Sequence, residues 1–367
     1  MDHRMPAIQP LLKQIAEERR PLTREEARDA LRSILTAEPD SALSAESDVK
    51  IASLLTAIAI RGETVDELTG FAEAMRALST PIPITASERA ALVDTCGTGG
   101  DGLGTFNIST GAALLAAAAG AKVAKHGNRG ISSRCGSADV LEALGVPIAL
   151  TPQQSADCLR ATGFTFLYAP ALHPAMKRVQ PIRRALGFRT IFNLAGPLAN
   201  PAGALSQIMG VYSPAKLEIV AGAMAQLGIR FGRVVHARNG IDEIALSPTD
   251  TILVRSLSDH DAPHPFPILV QPEAAGLSPA NLSELQGGNS PQSNAAILES
   301  ILNGSETGPK RDIVLLNAAA ALEAIGIASD LREGVSYAAE AIESGAAHRS
   351  LIGLREFGRS IAAIADH

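Results

Sequence analysis

Apolar side chains recur at helical spacing through the first 80 residues of the chain. The first apolar stripe consists of Ile8, Leu11, Leu12 and Ile15. Thr23 with Glu26, and Thr64 with Glu67, match the capping box, in which a hydroxyl and a carboxylate satisfy free N–H groups at a helix start. Because no strand-like alternation interrupts the stripes, we predict an all-helical domain over residues 1–82.

The pattern changes after the stiff connector Pro81-Ile82-Pro83. Short apolar or β-branched runs predict strands at 91–93, 122–124, 164–168, 207–212, 233–236 and 251–254. Strands that alternate with helices are typical of a mostly parallel sheet flanked by helices. The predicted fold class is therefore α/β, with a small N-terminal helical domain, joined by helices near 170–190, and a larger α/β domain over residues 83–367.

Two loops follow the first two predicted strands and carry most of the candidate chemistry. Gly97-Thr98-Gly99-Gly100-Asp101-Gly102 leads to Asn107-Ile108-Ser109-Thr110, which opens an alanine-rich helix. The second loop is Lys125-His126-Gly127-Asn128-Arg129, followed by Ser132 and Ser133. Glycine lets backbone N–H groups approach an anion, and a helix N-terminus adds positive potential. Since ligands of such sheets bind at the carboxyl ends of strands, the two loops predict a site for a heavily phosphorylated small molecule.

Two other phosphate-binding loops fit this stretch poorly. Residues 97–102 match G-x-G-x-x-G, but a dinucleotide site also needs an acidic residue about 20 positions on, where this chain has Lys125 and Arg129. Asp101 inside the turn would also repel a pyrophosphate. A nucleotide-triphosphate loop needs a Lys-Ser/Thr pair after its last glycine, and this chain lacks one.

Composition narrows the class of function. A net charge of −6 argues against a nucleic-acid partner, and the lack of tryptophan removes stacking platforms for single strands. With 46% hydrophobic and 19% charged residues, the chain is expected to be globular. Its alanine-rich windows are too short to cross a bilayer, and no apolar leader starts the chain, so we expect a cytoplasmic protein with no membrane partner.

Three further groups of residues have side chains that could bind a metal ion or an anion. Asp242 and Glu243 are adjacent carboxylates between isoleucines, and hard carboxylate oxygens suit Mg²⁺. Arg183 lies in a basic stretch, and a guanidinium can hold a carboxylate in a bidentate manner. His260-Asp261 with His264 has metal-like spacing, but the neighbouring prolines break the helix that such a site needs. The C-terminal third predicts helices and no chemistry.

Residues 93–145 resemble the anthranilate phosphoribosyltransferases, members of the nucleoside phosphorylase and type III phosphoribosyltransferase superfamily. The family motifs GTGGD, NIST, KHGNR, SS and GSAD all occur in order and at the expected spacing. The resemblance extends along essentially the whole chain. Its two local departures are Arg134-Cys135, where the family usually has Lys-Ser, and His236-Ala237, where it usually has His-Gly.

The resemblance implies a reaction. Such an enzyme transfers the 5-phosphoribosyl group of 5-phosphoribosyl-1-diphosphate to the amine of anthranilate, giving N-(5-phosphoribosyl)anthranilate and diphosphate, the second step of tryptophan biosynthesis from chorismate. The amine of anthranilate is already a nucleophile in its neutral form, so we expect no general base. The resemblance also implies a homodimer, formed through the helical domain, and association with anthranilate synthase subunits.

The resemblance also assigns site residues, motif by motif. The phosphoribosyl diphosphate donor is assigned to Gly97, Gly100, Asp101, Thr105, Asn107, Ile108, Ser109, Thr110, Lys125, His126, Gly127, Asn128, Arg129, Gly130, Ile131, Ser132, Ser133 and Ser137. Anthranilate is assigned to Gly97, Asn128 and Arg183, with His126 and His173 along its path. Two Mg²⁺ ions per subunit are assigned to Ser109, Asp242 and Glu243.

Two other functions remain open from the residues. A pyrimidine nucleoside phosphorylase has a similar architecture, but its glycine loop resembles KHSTGG, whereas this chain has GTGGDG. A non-catalytic relative of the family would be favoured by loss of Asp242, Glu243 or the Lys125 loop, and all three are present.

Overall fold

The structure is a computed structural model that describes residues 8–37, 44–99, 102–130, 135–247, 251–256 and 267–365. Its N-terminal part is helical, with α1 at Ile8–Ala16, α2 at Arg24–Thr36, α3 at Ser44–Arg61 and α4 at Val65–Ala77. Both predicted capping boxes are confirmed, at Thr23 for α2 and at Thr64 for α4. Gly62 ends α3 with a φ of +94°, a left-handed conformation that a residue with a Cβ rarely adopts.

The described strands form a seven-stranded sheet in the order β3-β2-β1-β4-β5-β6-β7. They span Leu92–Gly97 (β1), Lys122–Gly127 (β2), Phe164–Tyr168 (β3), Ser206–Gly210 (β4), Phe231–Ala237 (β5), Thr251–Ser256 (β6) and Ile268–Val270 (β7). Strands β1 to β5 pair in parallel, whereas β6 and β7 are antiparallel. The predicted mostly parallel sheet is confirmed, and the six predicted strands coincide with β1 to β6, while β7 was not predicted.

Helices cover the sheet. They are α5 (Ala86–Ala90), α6 (Ile108–Ala118), α7 (Ser137–Ala143), α8 (Pro152–Thr162), α9 (Ala169–Leu172), α10 (Gln180–Leu186), α11 (Phe192–Ala195), α12 (Leu217–Gln226), α13 (Pro291–Leu302), α14 (Pro309–Ala324), α15 (Leu331–Glu343) and α16 (Ala346–Ala365). Short 3₁₀ turns lie at Pro174–Arg178, Pro197–Ala199, Pro214–Lys216, Pro272–Ala275 and Leu282–Leu285. Small side chains let α6 approach its neighbours closely, since a Cβ on Gly111 would lie 2.8 Å from Leu298.

One hydrophobic core joins the helical part to the sheet. It contains Leu54 and Phe71 from α3 and α4, Phe192 from α11, and Met209 and Val234 from β4 and β5. A second core packs the opposite face of the sheet against α6 and α14. The domain division at residue 82 stays a prediction. Among the described residues, no helix is both long and apolar enough to cross a membrane.

Candidate active site

A cavity of about 1350 Å³ opens at the carboxyl ends of β1 and β2. This is where parallel α/β sheets bind ligands, because the loops that leave neighbouring strands converge there. Every predicted site residue that the structure describes lines this cavity. Gly100, Asp101, Ile131, Ser132 and Ser133 lie outside the described residues, as do His260, Asp261 and His264.

The glycine loop is held by backbone contacts from the next strand of the sheet. Thr98 donates its N–H to the carbonyl oxygen of Gly210 at 2.9 Å, and the Thr98 hydroxyl accepts the N–H of Tyr212 at 3.0 Å. Gly99 and Gly102 have φ values of +65° and +74°, which explains why glycine occurs at these positions. The described residues of the loop, 97–99 and 102–107, therefore join the end of β1 to the start of α6.

The two predicted metal carboxylates contact this loop and the start of α6. Asp242 Oδ2 accepts the N–H of Gly99 at 3.0 Å, and Glu243 Oε1 accepts the N–H of Ser109 at 3.1 Å. A carboxylate at a helix N-terminus is stabilised by the free N–H groups and the helix dipole. The predicted metal group of Ser109, Asp242 and Glu243 is thus brought together from segments that are far apart in the chain.

Backbone packing positions these carboxylates. Ile241 and Ile244 on either side are fully buried, and Ile244 exchanges hydrogen bonds with the Asn317 amide at 3.0 and 2.9 Å. A Cβ on Gly210 would lie 1.6 Å from the carbonyl oxygen of Asp242, so only glycine lets this segment lie against β4. The preceding Ala237, a departure from the family pattern, closes a turn by accepting the Gly240 N–H at 2.8 Å.

These oxygen donors fit Mg²⁺. Within the described part of the chain, no three His, Cys, Asp or Glu side chains cluster as a complete metal cage. Mg²⁺ commonly takes one or two carboxylates and completes its octahedron with water and substrate phosphates. Two carboxylates beside a predicted phosphate loop are therefore the expected donor set.

The side chain of Lys125 is buried, unlike that of a lysine that binds phosphate at a protein surface. Its side chain is 2% exposed, and its ammonium group donates to the carbonyl oxygen of Thr95 and, at 3.5 Å, to the Ser109 hydroxyl. Burial lowers the pKa of Lys125, and the nearby Asp94 carboxylate counteracts that effect. The lysine thus brings positive charge beneath the start of α6, next to the carboxylate pair.

Arg129 makes its ion pairs with α7, the helix that follows its loop. The guanidinium lies 3.0 Å from Asp139 and 2.8 Å from Glu142, and 6.0 Å from the ring centre of Tyr168. Asp139 also accepts the N–H groups of Gly130 at 2.9 Å and Gly136 at 2.8 Å. These contacts tie the two ends of the loop that carries the predicted serine ligands.

The other end of the cavity is lined by aromatic and basic side chains. The rings of His126 and His173 have centroids 5.0 Å apart, and burial lowers the pKa of His126 to about 3 and that of His173 to about 4. The Nε2 atoms of both rings lack a hydrogen-bond partner among the described residues. Arg183 on α10 stacks over Phe192 at 5.1 Å, and burial lowers its pKa.

Arg183 differs from Arg178 and Arg189, two other arginines of its segment. Arg178 pairs with Asp48 at 2.6 Å, and Arg189 stacks on Tyr212 at 4.2 Å. Arg183 has no carboxylate partner among the described residues, so its fork of N–H donors can serve an anionic ligand. Lys177, which was not predicted, also lines this end of the cavity.

One loop of the C-terminal third, for which no chemistry was predicted, also lines the cavity. The lining residues are Gln286, Gly287, Gly288 and Asn289 of this loop, together with Asn294 of α13. Gly287 donates its N–H to the Gly104 carbonyl at 2.9 Å, which holds the loop against the glycine loop. Gly287 and Gly288, one residue before the Ser290-Pro291 helix start, are a local signal for a turn but not for its contact with the glycine loop.

Comparison with known proteins assigns the family. A model described as the α/β domain of a glycosyl transferase family matches residues 89–348, and one for its helical bundle domain matches residues 9–79. A protein of Symbiobacterium thermophilum named anthranilate phosphoribosyltransferase is 48% identical over 348 residues, which cover 95% of this chain and 96% of that protein. The chain belongs to the anthranilate phosphoribosyltransferase family. The resemblance inferred from the motifs is thereby confirmed.

Solved structures of anthranilate phosphoribosyltransferases have the same fold. The Thermus thermophilus enzyme has a TM-score of 0.85 at 41% identity and covers 95% of this chain and 99% of its own. The Saccharomyces cerevisiae enzyme in complex with PRPP and Mg has a TM-score of 0.88 at 28% identity and covers 98% of this chain and 100% of its own. The same yeast enzyme is also known with 4-fluoroanthranilate, with a TM-score of 0.85 at 27% identity and the same coverage.

Proposed function

We propose that this chain transfers the phosphoribosyl group of 5-phosphoribosyl-1-diphosphate to anthranilate. The observation that carries the proposal is that the two ends of the cavity differ in chemistry. Asp242 and Glu243 lie at its phosphate-loop end, and Arg183 lies at its aromatic end. A metal-chelated diphosphate suits the first end and an aromatic carboxylate the second. The yeast relative binds PRPP with Mg, and separately 4-fluoroanthranilate.

The donor end stabilises negative charge as diphosphate leaves. The start of α6 contributes the positive end of its dipole, and Lys125 adds a cation below it. Asp242, Glu243 and Ser109 would hold Mg²⁺, which supplies charge neutralisation for the departing diphosphate. Magnesium use is supported by the yeast structures, and two ions per subunit stays our prediction.

The acceptor end positions a nucleophile that needs little activation. Arg183 would hold the anthranilate carboxylate, and Asn128 would contact the amine side, so that the nitrogen lies in line with the ribose carbon. The N–C bond forms as the C–O bond to diphosphate breaks, and the amine proton leaves to solvent. His126 and His173 remain neutral at pH 7 because of their lowered pKa values, so they line the acceptor path without carrying charge.

Loss of anthranilate fluorescence tests the reaction. The purified chain is mixed with anthranilate and 5-phosphoribosyl-1-diphosphate, with and without Mg²⁺. We expect fluorescence to fall only when donor and metal are both present. No loss at saturating substrate, together with phosphorolysis of thymidine or uridine, would instead support the nucleoside phosphorylase alternative.

Replacement of Arg183 tests the acceptor assignment. Arg183→Ala removes a bidentate, charge-assisted contact, so we expect the KM for anthranilate to rise roughly 10- to 100-fold. The KM for the donor should change far less, and Arg183→Lys should recover only part of the loss because lysine lacks the fork. Equal increases in both KM values would remove Arg183 from this role.

We also propose that the helical part forms a homodimer. Val49 and Ile60 of α3 are 65% and 83% exposed, and their spacing of three helical turns places them on one face. Phe188, 46% exposed, follows α10, which packs against α3. Sedimentation equilibrium at micromolar concentration measures this directly. Association with anthranilate synthase subunits and a cytoplasmic location stay predictions.

A further inference from the structure

The acceptor end of the cavity rests on a buried carboxylate that lies outside the cavity lining. Asp94 is in β1, the strand between β2 and β4, and its side chain is fully buried. Desolvation of a carboxylate is costly unless several hydrogen bonds compensate it. The partners of this carboxylate come from both neighbouring strands.

One oxygen holds the second loop. Asp94 Oδ1 accepts the backbone N–H of His126 at 3.2 Å. His126 lines the cavity, and its ring packs against that of His173. This hydrogen bond fixes the position of His126 at the end of β2. It thereby also fixes where Asn128, two residues further on, lies in the cavity.

The other oxygen holds the opposite wall. Asp94 Oδ2 accepts Nδ2 of Asn200 at 2.9 Å and Nε2 of Gln207 at 3.4 Å. The same Gln207 amide donates to the carbonyl of Pro197 at 2.8 Å, and Asn200 follows the Pro197–Ala199 turn directly. Gly196 and Pro197 line the cavity, so this network controls the position of that wall.

We propose that Asp94 is a positioning residue for the acceptor, because its carboxylate sets the distance between His126 and the Gly196-Pro197 turn. The proposal rests on the proposed function, since it names anthranilate as the molecule held between these two walls. Asp94 contacts neither the carboxylates nor the glycine loop that form the donor end in any described hydrogen bond. Loss of the Gln207 link, which leaves the charge of Asp94 in place, should therefore affect the acceptor selectively. Loss of that charge also removes the carboxylate that favours the protonated form of Lys125 at the donor end.

Asp94→Asn is the first test, because it conserves volume but leaves only one accepting oxygen for three donors. We expect the KM for anthranilate to rise about tenfold. The dissociation constant of the donor with Mg²⁺, measured by titration calorimetry, should rise by a smaller factor, because Lys125 loses its nearby carboxylate. Gln207→Met is the second variant, since it fills a similar space, leaves the Asp94 charge in place, and removes the amide that links the carboxylate to Pro197 and also contacts Cys96 Sγ. It should give a selective rise in the same KM.

Glu67→Gln is the matched control. Glu67 is also a fully buried carboxylate, accepting the N–H groups of Leu22 and Thr64 at 3.0 Å each and pairing with Arg61, but it lies in the helical part away from the cavity. It should lower the melting temperature and leave the KM for anthranilate unchanged. If Asp94→Asn and Gln207→Met behave like this control, or raise the acceptor KM and donor constant equally, the proposal is wrong. Failure of the wild-type chain to consume anthranilate would instead overturn the proposed function.

Discussion

At the scale of single residues, the two cavity histidines show what burial does to charge. His126 and His173 are 7% and 4% exposed, and their pKa values fall to about 3 and about 4. A charged imidazole would lack water and would face a second ring at a centroid distance of 5.0 Å. The two histidines of the cavity therefore stay neutral throughout the physiological range.

This burial makes stability depend on pH. Each histidine binds a proton near pH 6.5 when unfolded but only at a much lower pH when folded, so its stabilising contribution is complete above pH 6.5 and is lost as pH falls. At pH 5 the loss is roughly 2 kcal/mol per histidine. His173→Gln should therefore reduce the difference in unfolding free energy between pH 7.5 and pH 5 by about that amount, as measured by urea denaturation.

Protonation of Asp94 changes the stability in the opposite direction, so its effect must be separated from that of the histidines. Burial raises its pKa to about 6, so the folded chain holds its proton between about pH 6 and pH 4 and gains stability as pH falls there. That contribution is common to the wild type and His173→Gln, and it cancels in the difference between them. Identical pH dependence in the two proteins would contradict the assigned histidine pKa.

At the scale of elements, the ends of β1 and β4 determine where the carboxylates lie. Gly97 and Gly210 are paired across these strands, and a Cβ on Gly97 would lie 2.9 Å from Asp242 Oδ2. A Cβ on Gly210 would overlap the Asp242 backbone. The positions of the Asp242 and Glu243 carboxylates thus depend on two strand ends without side chains.

Gly210→Ala should therefore weaken the donor site. The added methyl group must displace the segment that carries Asp242 and Glu243, and we expect Mg²⁺-dependent donor binding, measured by calorimetry, to weaken at least about tenfold. Gly353→Ala is the control, because a Cβ at that position on α16 meets nothing within 4 Å and alanine favours the helix. Unchanged donor affinity in Gly210→Ala would show that the segment tolerates the shift.

Local sequence patterns predicted which helices and strands are present better than they predicted where each one ends. Strands β1 and β2 run on to Gly97 and Gly127, beyond the predicted apolar runs, because parallel pairing with β4 and β3 continues through polar and glycine residues. The sequence motifs identified residues that line the cavity but not the contacts of those residues. The ion pair of Arg129 with Glu142 and the burial of Lys125 depend on tertiary packing. The loop at Gln286 reaches the cavity through its bridge to Thr105, a long-range contact that no local pattern records.

At the scale of the whole molecule, the helical part and the sheet share one core. Phe71 of α4 meets Phe192 of α11 edge to face, with ring centroids 5.6 Å apart. Arg76, further along α4, donates to the Leu198 carbonyl at 2.7 Å, next to Pro197, which lines the cavity. The helical part therefore supports the candidate site directly.

The shared core predicts that the chain unfolds as one unit. Phe71→Ala removes a fully buried ring from the junction and should lower the unfolding free energy by roughly 3–5 kcal/mol. Because the core is continuous, scanning calorimetry should show a single transition at lower temperature, with loss of activity at the same temperature. Ile352→Ala, on the half-exposed face of α16, should shift the transition far less. A separate early transition that leaves anthranilate turnover intact would mean that the helical part folds independently of the sheet that carries the site.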